Sequence, residues 1–129
     1  MVHSSRPPGR PVFFNLLQIQ MPVGALTSIG HRVSGVLLAA GLPMAVYLLD
    51  TSLRDEQGFI EVIGWVHSLA FKAAAFLFVW ALAHHILAGV RHLLTDISVG
   101  STFHTARRSA WTVNLGGVVI ALLLGWLWL

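Results

Sequence analysis

His84-His85-Ile86-Leu87-Ala88-Gly89-Val90-Arg91-His92-Leu93-Leu94-Thr95-Asp96 decides how this chain is read, because it sets three histidines in a segment otherwise apolar enough to cross a membrane. An ionisable side chain at membrane depth costs about 3 kcal/mol or more unless it faces a bundle interior, a cavity or a ligand, so such histidines point to function. Read as a helix, the run puts His85 and His92 on one face, seven residues apart, with Gly89 one turn from His85. A glycine there leaves room beside the imidazole for a large flat ligand. On that ground His85 is favoured as a ligand over its neighbour His84, which lies about 100° away around the helix.

The rest of the composition agrees with a lipid environment. Of 129 residues, 56% are hydrophobic and 10% charged, against about a quarter charged in soluble domains, and the mean hydropathy is +0.76. The length allows one domain. The net charge of +3 reflects the scarcity of acids (Asp50, Asp55, Glu56, Glu61 and Asp96) more than a polybasic surface, so nucleic-acid binding is not indicated. No cysteine is present, which excludes disulfides, thiolate metal sites and iron–sulfur ligation by this chain. Any redox centre must be held through histidine.

Three apolar stretches, about 26–49, 62–94 and 111–129, approach or exceed the roughly 20 residues that a spanning helix needs. The expectation is an all-α membrane protein with a segment 1–25 followed by a three-helix domain 26–129, its helices at about 26–49, 62–94 and 107–129. The second is longer than a bilayer requires and should tilt or project. Pro43 should kink the first. Residues 1–20, with Pro7, Pro8 and Pro11, have no long apolar core and read as neither a span nor a secretory signal.

Charge sets the expected orientation. Arg6, Arg10 and Arg32 precede or open the first span, and Arg91, Arg107 and Arg108 flank the second connection; the first connection, 50–61, holds four acids and only Arg54. The positive-inside rule then puts the N-terminus and the second connection in the cytoplasm, with Trp126 and Trp128 at the outer interface and Lys72 about two turns into the second helix, close enough to snorkel. This topology gathers His31, Arg32, His85, Arg91 and His92 in the inner half of the membrane. A histidine some way into the apolar layer, with arginines nearer the surface, suits a b-type haem whose propionates reach the aqueous edge. Blander readings stand beside it: Arg91 and His92 as interfacial anchors, Ser28 and Arg32 as a helix cap and anchor, the glycines as helix-packing positions, and His3, His67 and His104 as solvent or interface residues.

The two blocks Ser28-Ile29-Gly30-His31-Arg32-Val33-Ser34-Gly35 and His85 to Asp96 strongly resemble the signature segments of the cytochrome b556 membrane-anchor family of succinate dehydrogenase (complex II), and Arg6-Pro7, Arg10-Pro11 and Asn15-Leu16 resemble its N-terminal lead-in. The resemblance covers nearly the whole chain and implies a haem-binding bundle shared with a second anchor subunit. It makes His85 the axial ligand of haem b and His84 a non-ligand. By the same resemblance His31 and Arg32 lie near the propionates, His92 lies near the haem edge, and Ser28 and Arg32 border the ubiquinone site. The second axial histidine would come from the other anchor, and the remaining pocket from that subunit and the iron–sulfur subunit, with succinate oxidised on the flavoprotein. Isolated, the chain should have no activity. Residue 30 departs from the family pattern, being Gly30 where a bulkier side chain is often found. The implied location is the bacterial inner membrane, multi-pass, with a cytoplasmic N-terminus. An anchor of quinol:fumarate reductase and a cofactor-free structural membrane subunit are the rival expectations.

Overall fold

The computed structural model describes residues 20–128, and side chains to residue 127. Most of the expected 1–25 segment, including Arg6, Arg10, Asn15 and His3, and also the Trp128 side chain and Leu129, lie outside the described residues. Four helices follow in order: α1 Val23–Arg54, α2 Glu56–Val66, α3 Leu69–Asp96 and α4 Phe103–Trp128. α1, α3 and α4 are long and apolar enough to cross a membrane.

Helix α1 starts three residues before the expected position. Pro22 sits in extended backbone and its carbonyl accepts from the Ala25 and Leu26 amides, so the helix opens directly behind the proline. Its 32 residues make a rod of about 48 Å, longer than a bilayer core of about 30 Å, and it continues through Pro43.

The expected second span, 62–94, is not one helix. Asp55, extended, ends α1 and caps α2, its Oδ1 accepting from the Gly58 amide at 2.7 Å. α2 closes at His67, whose Nδ1 lies 2.7 Å from the Ile63 carbonyl. Ser68 then restarts the chain: its Oγ donates to the Trp65 carbonyl (2.7 Å) and accepts from the Phe71 amide (3.2 Å). A serine hydroxyl serving both ends of a break is an N-cap that an apolar run conceals. The excess length of that run therefore resolves into a short separate helix rather than a tilted long one. Lys72 falls in the first turn of α3, not two turns into a longer helix.

The α3–α4 connection is a Schellman turn. Val99 N–H donates to the Leu94 carbonyl and Ser98 N–H to that of Thr95, with Ser98 at φ 63°, a position that glycine usually fills. Left-handed backbone costs a non-glycine residue about 1 kcal/mol, and the Ser98 side chain makes no hydrogen bond among the described residues. Ser98→Gly should therefore stabilise by about 0.5 kcal/mol after the larger entropy of the unfolded glycine is counted; thermal unfolding followed by circular dichroism measures this, and a lowered midpoint would contradict it.

Packing is by small residues. α3 lies against both α1 and α4, and its only buried residues are Ala81, His84 and Ala88. On α4 the buried residues include Ala110, Val113 and Ala121, and Thr27 and Ser34 of α1 are fully buried. Large aliphatic side chains face outward. Between lipid-solvated helices apolar contact gives little net drive, so close approach and interhelical hydrogen bonds hold the bundle together.

Candidate functional site

Two faces of α3 carry different polar clusters, one turned to α1 and the other to α4. On the α1 side, His85 Nδ1 lies 3.1 Å from the His31 carbonyl and 3.2 Å from Ser34 Oγ, which itself donates to that carbonyl at 2.9 Å. A carbonyl only accepts, so the proton of His85 sits on Nδ1 and the Nε2 lone pair is left available. This is the arrangement of a metal-ligating imidazole, whose other ring N–H is held by a backbone carbonyl. His31 stacks on His85 with ring centroids 4.1 Å apart and planes 16° from parallel, and His92 tilts against His31 at 5.2 Å. Three of the expected site residues, His31, His85 and His92, are thus brought together, all part-exposed.

The glycine beside the His85 ring is not the one expected. A Cβ on Gly89 would face His31 Nε2 at 3.6 Å, whereas a Cβ on Gly35 of α1 would meet His85 Cε1 at 3.1 Å. Gly35 therefore lets the His85 ring pack closely against α1, and Gly89 borders the His31 ring.

Ser28 and Arg32 stand one turn apart on α1 and share a face. Ser28 is half-buried and Arg32 exposed. Among the described residues neither side chain is bonded to the three rings, and the Arg32 guanidinium forms no ion pair. Its donors are unspent among the described residues. Arg91 takes the anchor reading: Nε donates to Ser109 Oγ at 3.0 Å and Nη2 to the Ala106 carbonyl at 3.2 Å, with Nη2 lying 3.7 Å from where a Gly24 Cβ would be. It clamps α3 to the first turns of α4.

On the α4 side, His84 is 3% exposed. Its Nε2 donates to Asn114 Oδ1 at 3.2 Å, and that oxygen also accepts from Thr27 Oγ1 at 3.1 Å. Three helices meet in this network. Thr27 and Asn114 were missed by sequence reasoning, although Asn114 is the only amide side chain in the last apolar run, and an amide in a membrane span needs a partner. Gly30 gains its reason here: a Cβ on it would lie 2.7 Å from His84 Cε1, so the missing bulk is filled by the His84 ring.

The chain matches the family model "Succinate dehydrogenase/Fumarate reductase transmembrane subunit" over residues 6–124. It is 32% identical over 126 residues to the succinate dehydrogenase cytochrome b556 subunit of Coxiella burnetii, covering 92% of this chain and 97% of that protein. With the subunit of the same name from Paracoccus denitrificans the identity is 30% over 118 residues, covering 88% of each. The mitochondrial cytochrome b560 subunit of Mus musculus is 28% identical over 117 residues, covering 88% of this chain and 66% of that protein.

Proposed function

Because this chain belongs to the succinate dehydrogenase/fumarate reductase transmembrane subunit family, we propose that it is the membrane cytochrome b subunit of a succinate:ubiquinone oxidoreductase, holding haem b through His85 and bordering the ubiquinone site with Ser28 and Arg32. The observation that carries this is the His85 ring, whose Nδ1–H is committed to the His31 carbonyl while Nε2 stays available. The residues fit the group. Gly35 lets the His85 ring seat closely on α1, and His92 and the unspent guanidinium of Arg32 offer donors for two propionates. A second anchor subunit would supply the other axial histidine. When bound, the haem supplies one-electron storage next to the quinone.

The chain's own residues then position and polarise. Ser34 and the His31 carbonyl fix the tautomer and the plane of His85. Arg32, with its planar fork of donors, addresses a quinone carbonyl and stabilises the negative charge that develops on its oxygen during reduction. Ser28, one turn earlier on the same face, adds a hydroxyl donor to the same oxygen. Electrons arrive from an iron–sulfur subunit that binds at the arginine-rich end, which by the positive-inside rule is cytoplasmic.

The test is a reduced-minus-oxidised absorption spectrum of the purified complex together with its succinate:ubiquinone activity. A low-spin b-type band is expected. Its absence from a fully assembled, active complex would overturn the haem assignment and favour a chain whose histidines only bond helices together.

A further inference from the structure

Helix α3 has no single apolar or polar side, so hydropathy gives it little preferred rotation about its axis, and in lipid such a rotation is restrained by packing and by directional bonds. Its side-chain bonds to other helices include those of His85 to α1 and of His84 and Arg91 to α4. Arg91 holds one end of the helix, with a long flexible side chain. His84 is different. It is 3% exposed, reaches Asn114 at 3.2 Å, and is wedged between α1, where Gly30 leaves space for its ring, and α4, where a Gly117 Cβ would lie 3.2 Å from its own Cβ. Its Nδ1 is buried without a partner among the described residues. A buried, half-satisfied imidazole in a membrane bundle is costly to keep, and the apolar alternative of similar size would avoid that cost.

We infer that His84 is a positioning residue for its neighbour: the His84–Asn114–Thr27 network sets the rotational phase of α3 and thereby aims His85 at the face where the haem is held. The two histidines are adjacent, about 100° apart around the helix, so a turn of α3 that relaxes His84 swings His85 by the same angle. Gly30 and His84 form a matched pair in this device, bulk lost from α1 being taken up by α3. The proposal rests on the haem assignment for its functional consequence, whereas the phase of α3 is independent of it.

The test uses the intact complex and exploits the absence of cysteine from this chain. A cysteine introduced by Ala88→Cys, at a position 0% exposed and one turn from His84 on the same helix face, reports the phase through its reaction with a lipid-soluble thiol reagent, mapped to this chain by mass spectrometry. In an otherwise unchanged chain, labelling should be slow. Adding His84→Leu, Asn114→Leu or Gly30→Val should speed it severalfold. The double variant His84→Leu/Asn114→Leu should go no further than either single one, because both break the same bond. Adding His84→Gln, which keeps a donor for Asn114, should restore slow labelling. In parallel, the haem midpoint potential and low-spin electron paramagnetic resonance signal should shift in the three disrupting variants and return with His84→Gln, at unchanged haem content. Labelling that stays slow in His84→Leu and Asn114→Leu overturns the proposal whatever the haem does. Fast labelling with an unmoved potential and spectrum overturns the link from His84 to the haem. A wild-type complex without b-type haem overturns the haem assignment instead, and labelling still decides the phase. Should His84→Leu fail to assemble, Asn114→Leu, with a side chain that lipid tolerates, carries the same decision.

Discussion

Replacing His85 with alanine is expected to remove the low-spin bis-histidine haem signal from the complex almost completely, while His84→Ala leaves axial ligation in place. The difference follows from where the two rings point. His85 has its Nδ1–H committed to the His31 carbonyl on α1 and its Nε2 available; His84 has Nε2 committed to Asn114 inside the bundle. Alanine is cheap in lipid and a good helix former, so neither substitution should block insertion of α3. The measurement is haem content together with the low-spin spectrum of the assembled complex. Retention of an unchanged bis-histidine spectrum in His85→Ala, with loss in His84→Ala, would reverse the ligand assignment. Weak loss in both would point to general destabilisation.

Arg32→Leu is expected to slow succinate-to-ubiquinone electron transfer at least about tenfold, with succinate oxidation by an artificial acceptor upstream nearly untouched. A charged donor aimed at the oxygen that gains charge is worth about 2 to 4 kcal/mol in the barrier, and each 1.36 kcal/mol is about tenfold in rate. The exposed guanidinium, with no ion pair among the described residues, loses no internal bond on replacement, which separates function from folding. Ser28→Ala removes a neutral hydroxyl from the same face and should give a smaller loss in the same assay. Equal loss of both activities in Arg32→Leu would assign the residue to assembly, and normal quinone reduction in both variants would sink the proposed site.

The histidine-bearing span, the three spanning segments and the asymmetry of charge were legible because burial in lipid leaves a compositional imprint that needs no knowledge of neighbours. The grouping of His31, His85 and His92 followed from the antiparallel course of α1 and α3, which the charge pattern implies. Other features left weaker traces. The break at His67-Ser68 was hidden inside a continuous apolar run, its sign being a single capping serine. Gly89 stood one turn from His85, yet the glycine against which the His85 ring packs is Gly35, on another helix. A one-dimensional spacing rule sees only neighbours on its own helix.

Sequence by itself thus determined that the chain is an all-helical membrane protein, which ends of its helices carry charge, and which residue types are able to hold a metal or a carboxylate. Tertiary structure decided what each polar side chain faces: His85 to α1, His84 to Asn114 and Thr27, Arg91 to Ser109, and Gly30 to the His84 ring. The physical reason is that hydropathy encodes the preference of a segment for lipid but is nearly constant around an apolar helix. Rotation about the helix axis is chosen by steric fit and directional hydrogen bonds between helices, and these exist only once the bundle has formed.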